Sequence, residues 1–479
     1  MKRKVLFCLL LIICITMVFL ITGCSSSLPQ DSSGTISGSQ TKPQITWQTE
    51  TEEDDEDFQP LNYFPLKPTI DETVLYDSNE ICITAKEITY NKYQATVSLL
   101  LENKTKFPLE FYSNTLACPY NSVNGHMLSF GYMCEEVPAN DSAEATLSVS
   151  GAELSVYNIW DIADLEIAFY IHDDDNNVKI LTGPCSLKTS LYDEYDYSSV
   201  SVCTGLANKS LQREQGYTVI DSNDAVIFDK QGVQVNEEMI MVNQSGETII
   251  IMEAENTGDQ AVYLEVTDVT INGLMVNDGL WTGEAINPGK TASLSITVNN
   301  LIDDDVRTLL GIEEYSDISF EMILEDMEST VLASPVKLKI GLGGKDGYDE
   351  GTEVYRDDYL RVCQLGNIAE TDDDCHLYMI FTNNSDSTLY IRYPKDALNI
   401  NNNSDISNSA YSFELNPGAS YLRHIRIWNR AIDELGISSW SEMTSITLTN
   451  EVKDNSTGKL IASAEYELNP EITILKEKK

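Results

Sequence analysis

The constraint that most limits how this chain can fold is an ordered set of marks that occurs three times. An aromatic residue precedes an alternating apolar pair: Tyr76 with Ile81 and Ile83, Phe228 with Val233 and Val235, Tyr355 with Leu360 and Val362. An asparagine ends an apolar strand 27 or 28 residues after each aromatic, at Asn103, Asn256 and Asn383. Eight residues beyond each asparagine stands an apolar residue of the next strand, Phe111, Leu264 or Ile391. Self-similarity of this kind means that one structural unit is used three times. Within the units Val97, Leu99 and Leu101 alternate with other residues, as do Ile249 with Ile251 and Leu294 with Ile296 and Val298. A period of two gives a strand one buried face. Turns follow in the same order at Asn124-Gly125, Asn272-Gly273 and Asn401-Asn402, then at Pro138, Pro288-Gly289 and Pro417-Gly418. Both kinds connect strands. A short helical segment comes next, clearest over 429–436, where Asn429 is placed to cap the start and Gly436 to end it. A last strand closes each unit at 165–171, 318–324 and 446–448. The expected fold is mainly β, an antiparallel two-sheet sandwich per unit, with a closed barrel as the alternative.

The turn sequences Glu102-Asn103-Lys104-Thr105, Glu255-Asn256-Thr257-Gly258 and Asn287-Pro288-Gly289-Lys290 resemble those of immunoglobulin-like, telokin-like extracellular domains of Gram-positive lipoproteins. The resemblance spans about residues 70–475 and implies three tandem antiparallel immunoglobulin-like β-sandwich domains after a disordered tether. The first unit departs from it by lacking a glycine after Pro138, and no unit has the Cys-Trp-Cys core of antibody domains.

The N-terminal end points the same way. Lys2, Arg3 and Lys4 precede an apolar run from Val5 to Leu20, the layout of a secretory signal. Leu20-Ile21-Thr22-Gly23-Cys24 resembles a lipobox, which implies lipidation of Cys24 and cleavage before it; an uncleaved transmembrane anchor is the alternative. Residues 50–57 then carry seven carboxylates in eight positions, a composition unable to bury enough apolar surface to order itself. The expected organisation is a signal peptide at 1–23, a lipidated, acidic, disordered linker at 24–68, and units at 69–191, 219–341 and 353–479. Linkers are expected at 192–218 and, glycine-rich, at 342–352.

Charge narrows the partners. The formal charge of −45 becomes −48 once Lys2, Arg3 and Lys4 leave, so nucleic acid is repelled and no nucleic-acid partner is expected. Cys82, Cys118, Cys134, Cys185, Cys203, Cys363 and Cys375 form an odd set with no CxxC. Cys118 with Cys134 and Cys363 with Cys375 are near enough in sequence to pair across strands, or all seven stay reduced as small hydrophobes. The histidines, His126, His172, His376 and His424, occupy non-equivalent places and none has a metal or nucleophile spacing. Counted from Asp173, the sixth and twelfth positions of a calcium loop are Val178 and Pro184, not glycine and glutamate. The triplets Asp173-Asp174-Asp175, Asp303-Asp304-Asp305 and Asp372-Asp373-Asp374 also occupy non-equivalent places in the repeats, so they read as solvated loop tips. Hence no catalytic residue, metal or cofactor is expected.

Two clusters have the composition of binding surfaces. Tyr192, Tyr195 and Tyr197 offer contact area with polar tips. Arg423, Arg426 and Arg430 with Trp428 and Trp440 are a basic and aromatic concentration in an acidic chain, and put the expected contact surface in the third unit. The functional expectation is a membrane-anchored extracellular lipoprotein acting as a non-catalytic binding or spacer protein, its partner a protein or glycan. An envelope-sensing or substrate-capturing accessory subunit of a membrane complex is the alternative, and a secreted-side enzyme the third. Replacing Cys24 by Ser should abolish lipid labelling and leave the chain unprocessed or released, as metabolic labelling with a fatty-acid analogue and fractionation would show. A Cys24→Ser protein that is processed and still membrane-bound would overturn the anchor assignment.

Overall fold

The computed structural model describes residues 61–114, 121–128, 130–276, 282–298, 302, 304–370 and 374–475. Cys24, the signal segment, most of the acidic tether and Cys118 lie outside the described residues. The fold is mainly β. The first set of strands is β1 (Thr73–Asp77), β2 (Ile81–Tyr90), β3 (Gln94–Asn103), β4 (Leu109–Ser113), β5 (Ser122–Val123), β6 (His126–Met127), β7 (Met133–Val137), β8 (Asp141–Ser150), β9 (Asp164–Ile167), β10 (Phe169–Asp173), β11 (Val178–Leu181) and β12 (Cys185–Lys188). The second is β13 (Tyr217–Lys230), β14 (Val233–Asn243), β15 (Thr248–Asn256), β16 (Val262–Ile271), β17 (Leu274–Val276), β18 (Thr282–Ile286), β19 (Lys290–Thr297), β20 (Asp317–Asp326) and β21 (Val336–Gly341). The third is β22 (Thr352–Arg356), β23 (Leu360–Glu370), β24 (Cys375–Asn383), β25 (Leu389–Arg392), β26 (Leu398–Ile400), β27 (Phe413–Leu415), β28 (Ser420–Ile427), β29 (Ile446–Asp454), β30 (Leu460–Leu468) and β31 (Thr473–Leu475).

One antiparallel order recurs: β1-β2-β3-β8, then β13-β14-β15-β19, then β22-β23-β24-β28. Against the first of these lie β11-β10-β4-β7 and β12-β9-β5-β6, and the alternating side chains of both layers meet in one core. Ile81, Ile83, Val97, Leu99 and Leu147 come from one side, and Phe111, Val137, Leu165, Phe169 and Leu187 from the other. In the third set Val362, Leu377, Phe381 and Ile425 face Ile391, Leu398, Phe413, Leu448 and Val452 in the same way.

The three asparagines that mark the repeat are what fasten it. Each is buried at the end of a strand, in β3, β15 or β24. Asn103 Nδ2 donates to the Phe107 and Val137 carbonyls at 2.8 and 3.0 Å, and its Oδ1 accepts the Thr105 N–H at 2.9 Å. Asn256 does the same to Gln260, Ile286 and Gly258 at 2.8, 2.9 and 2.9 Å, and Asn383 to Ser387, Leu415 and Ser385 at 2.9, 2.9 and 2.8 Å. A buried backbone group needs a partner, and at each of these corners the asparagine amide supplies it across 30 or more residues of sequence.

A second pin sits at the Asn-Gly turns. Asn124, Asn272 and Asn401 adopt φ of 45°, 51° and 52°, the left-handed region that asparagine tolerates best after glycine. Their backbone N–H groups donate to the carbonyls of Asp164, Asp317 and Ser445, each at 3.1 Å. Their Oδ1 atoms accept from Ala163, Ser316 and Thr444 at 2.8, 2.9 and 2.8 Å. The third repeat keeps this pin although its turn has Asn402 in place of glycine, with φ 66°.

Contacts divide the chain into two compact units, Met1–Gln215 and Gly216–Lys479. Within the second, β17 pairs in parallel with β28, Leu274 opposite Ser420 and Val276 opposite Leu422, so the second and third repeats are joined by a ladder. Three segments expected to be tether or linker are ordered. Residues 61–68 pack into the first repeat: Phe64 is 0% exposed, its N–H donates to the Trp160 carbonyl at 2.9 Å, and Asp161 accepts the N–H groups of Leu66 and Lys67 at 2.9 and 3.3 Å. The apolar Tyr63-Phe64 pair, just past the acidic run, is what orders them.

Residues 192–215 form short helical turns and the helices Val202–Leu206 and Lys209–Gln215, which bury Val202, Leu206 and Leu211. Gly205 lies there against the Val156 backbone, where a Cβ would come within 2.1 Å of the carbonyl oxygen. The glycine-rich stretch after β21 is stitched down rather than loose. Leu342 and Gly344 donate to the Ser316 and Tyr315 carbonyls at 2.8 and 2.9 Å, and Asn272 Nδ2 donates to the Gly347 carbonyl at 3.0 Å. The helix Ala431–Leu435 ends at Gly436 as expected, with φ 67°, but Arg430 and not Asn429 holds the N-cap position, without a side-chain cap.

Removing one pin tests its weight. Asn256→Ala leaves the buried Ile286 carbonyl, the part-buried Gln260 carbonyl and the Gly258 N–H without their amide partner and should cost about 3 kcal/mol of unfolding free energy, at roughly 1 kcal/mol per bond. Urea denaturation would measure it, with the exposed neighbour Asp259→Ala as a control expected within about 0.5 kcal/mol of the parent.

Candidate functional site

The outer face of the sheet β11-β10-β4-β7 carries two rows of side chains, because alternate residues of each strand point away from the core. Register sets the rows. Cys134, Tyr112, Tyr170 and Leu181 lie directly opposite one another across the four strands, and beside them run Glu136, Glu110, His172 and Lys179. The first row is aromatic and apolar, and the second is ionisable throughout.

The rows are tied together. Tyr112 and His172 stack with ring centroids 5.2 Å apart and planes 6° from parallel, and Tyr170 lies 5.3 Å from His172. Glu110 Oε2 accepts the Tyr112 hydroxyl at 2.6 Å and lies 3.2 Å from His172 Nε2. The hydrogen bond to Glu110, then burial and the neighbouring Cys134 thiol, push the Tyr112 phenol well above its ordinary range, so it stays a donor. At the margins Tyr132, one residue before β7, is 70% exposed, and Leu181 is 52% exposed. Large apolar and aromatic side chains facing solvent beside fixed polar groups have the composition of a contact surface.

The other repeats do not have it. Tyr112 and Tyr170 pair one residue beyond the apolar marker Phe111; at the same register the second repeat pairs Glu265 with Ile323, and the third pairs Arg392 with Glu451 in an ion pair of 3.1 Å. Sequence reasoning missed this face because its halves lie 58 residues apart, in β4 and β10. The usable signal was the parity of Tyr112 and Tyr170 about the core positions Phe111, Phe169 and Ile171.

The clusters expected from sequence fare differently. Tyr192, Tyr195 and Tyr197 do gather: Tyr197 lies 5.1 Å from Tyr195 and 6.2 Å from Tyr192 in edge-on contacts, its hydroxyl donates to Asp164, and Lys188 Nζ sits 3.7 Å over the Tyr192 ring. Burial raises the Tyr195 phenol. The arginines do not form one surface. Arg423 shares the inward parity of Tyr421 and Ile425, its guanidinium 4.8 Å from the Phe413 ring and donating to the Tyr421 hydroxyl at 3.0 Å. Arg426 has the outward parity and pairs with Asp374. Arg430 follows the strand and covers Trp428 at 5.2 Å, and Trp440 is in the core.

His376 and His424, 48 residues apart, meet on β24 and β28 with rings 5.3 Å apart beside Tyr378. Asp173 of the first acidic triplet accepts the N–H groups of Asp175 and Asn176 at 2.9 and 3.2 Å, while Asp303, Asp372 and Asp373 lie outside the described residues. Among the described residues no group of three or more acidic, histidine or cysteine side chains is arranged to hold a metal, and no helix is long and apolar enough to cross a membrane. Cys134, Cys363 and Cys375 are free thiols, so Cys363 and Cys375 do not pair.

No family model matches the chain, and no curated protein matches it. Among solved structures, a protein of unknown function from Porphyromonas gingivalis W83 aligns at 12% identity over 49% of this chain and 98% of its own, with a TM-score of 0.14. A bacterial ice-binding adhesin, described for its host cell surface retention, aligns at 9% over 80% and 91%, TM-score 0.14, and a conserved domain protein from Bacillus anthracis at 12% over 57% and 92%, TM-score 0.14. Likenesses of this size carry no assignment of function.

His126 is the one histidine wholly inside, 0% exposed on β6 and stacked 4.0 Å from Tyr157. Burial pushes its imidazole down to about 3 from an ordinary 6.5. The unfolded chain therefore takes up a proton below 6.5 that the folded chain refuses until about 3. The stability this neutral histidine supports is whole above pH 6.5 and falls toward pH 3, by about 1.4 kcal/mol per pH unit. Urea titrations between pH 7 and 4 should show His126→Gln losing that part of the slope.

Proposed function

We propose that this chain is a lipid-anchored protein of the extracellular face of a cell membrane that captures a protein or glycan partner without chemistry of its own, through the outer face of β11-β10-β4-β7. One observation carries this reading: the Cys134-Tyr112-Tyr170-Leu181 row, with Tyr132 at its margin, occurs at a register where the other two repeats carry carboxylates, an aliphatic residue or an ion pair. A scaffold used three times and altered on one face points to that face as the place of contact. Tyrosine contributes contact area at low entropy cost, which favours it at such surfaces.

The anchor rests on Lys2 to Cys24 and the acidic tether that follows. The contact surface moves from the third repeat to the first because Arg423, Arg426 and Arg430 are engaged with Tyr421, Asp374 and Trp428. The second and third repeats, laddered through β17 and β28, supply a stiff body for the spacer part of the role. Proximity labelling from the anchored protein, run with Tyr132→Ser/Tyr170→Ser beside the parent, tests it. The variant should recover the main labelled partner at least tenfold less, with its thermal transition unchanged. Equal recovery would remove this face, and turnover by the purified protein would remove the non-catalytic reading.

A further inference from the structure

The first repeat also has a groove whose lining shares no residue with the aromatic face. At the open side of its sandwich β1 is the edge of one sheet and β12 the edge of another. Just before β1 and just after β12, Thr69 N–H donates to Ser190 Oγ at 3.1 Å and Ser190 N–H to the Thr69 carbonyl at 2.8 Å. Beside this clasp is an open groove of about 460 Å³, lined by Thr69, Asp71, Thr73, Ser186, Lys188, Thr189 and Ser190. That volume lies within the range of small-ligand sites, about 300–1,000 Å³.

The lining decides the ligand. Five of its seven residues are hydroxyl-bearing, and it holds one carboxylate and one ammonium. Thr189 is spent on the fold, donating to Ile162 and accepting from Leu191, and Thr73 donates to the Asp71 carbonyl. The Ser190 hydroxyl accepts from Thr69 and keeps its proton to donate. Ser186, Asp71 and Lys188 stand exposed. A hydroxyl is donor and acceptor at once, and its natural complement is another hydroxyl. None of the seven lining residues is of an apolar type. The charges of Asp71 and Lys188 balance, and the chain's formal charge of −45 opposes an anion. Lys188 Nζ lies 3.7 Å over the Tyr192 ring, which holds the ammonium at the margin of the groove.

We infer that the groove between β1 and β12 binds a neutral saccharide of one or two rings, with Asp71 as acceptor, Lys188 as donor, and Ser186 and Ser190 as further contacts. The ligand replaces water that already satisfies these groups, so the gain per contact is small and the affinity is modest. Binding is insensitive to salt because no net charge is exchanged. It is also independent of the aromatic face, so either can fail without the other.

The test titrates cellobiose, maltose, lactose and N,N′-diacetylchitobiose into the full-length protein, with sodium phosphate and choline chloride as charged probes, read by saturation-transfer NMR. At least one disaccharide should bind with a Kd of about 1 mM or tighter, unchanged on raising the salt tenfold. Asp71→Asn and Ser186→Val, both at exposed positions, should each weaken it fivefold or more with an unchanged thermal transition, while Tyr170→Ser should leave it unaltered. Absence of binding by all four disaccharides, preference for phosphate or choline, or full binding by both groove variants would each overturn the inference.

Discussion

Everything in this fold hangs on the fact that a strand end turning out of a sandwich leaves backbone groups inside it. Asn103, Asn256 and Asn383 answer that requirement with one side chain each, joining the end of a central strand to the proline-turn strand that follows 30 or more residues later. Apolar packing cannot do this, since an alkyl group in the same place would leave one buried carbonyl, and a part-buried carbonyl and N–H beside it, unpaired. A carboxylate cannot either, because it has no N–H to give. The asparagine is thus fixed by chemistry while the residues around it drift, and it remains visible in three stretches that otherwise share little.

That is why the repeat was legible and several of its consequences were not. Turn asparagines and proline turns act locally, through backbone geometry and a few hydrogen bonds, and a sequence displays them directly. The alternation of Val97, Leu99 and Leu101 likewise showed which face is buried, and the core bears it out. What sequence order hides is adjacency between strands. Tyr112 and Tyr170, or His376 and His424, become neighbours only through pairing, and pairing partners are set by topology, not by distance along the chain.

The arginines fail for a different reason, one that was readable. Arg423 and Arg426 are separated by three positions on a strand, an odd number, so they face opposite sides of the sheet. Grouping them by proximity alone treated a strand as though it were a helix, where residues three apart share a face. Local chemistry likewise orders residues 61–68, which the composition assigns to the tether. Composition is low in apolar content through the acidic run, but Tyr63 and Phe64 fill a core position, and two large rings outweigh a polar average.

Once each corner is fastened from within, the outer faces are released from any part in holding the fold, and this sets where function can reside. An outward residue in β4, β16 or β25 packs against nothing that the asparagine pins or the core depend on, so it can be tyrosine, glutamate or arginine at one register without disturbing the sandwich. The Arg392–Glu451 pair in the third repeat is worth little as a surface ion pair, which is consistent with a position under no structural demand. The Tyr112–His172 stack over Glu110 is another matter, because it orders three side chains in solvent and that ordering costs entropy without serving the core. The tyrosine pair at this register, ordered in the first repeat and replaced by Glu265 with Ile323 and by Arg392 with Glu451 in the others, therefore owes nothing to the demands of the core.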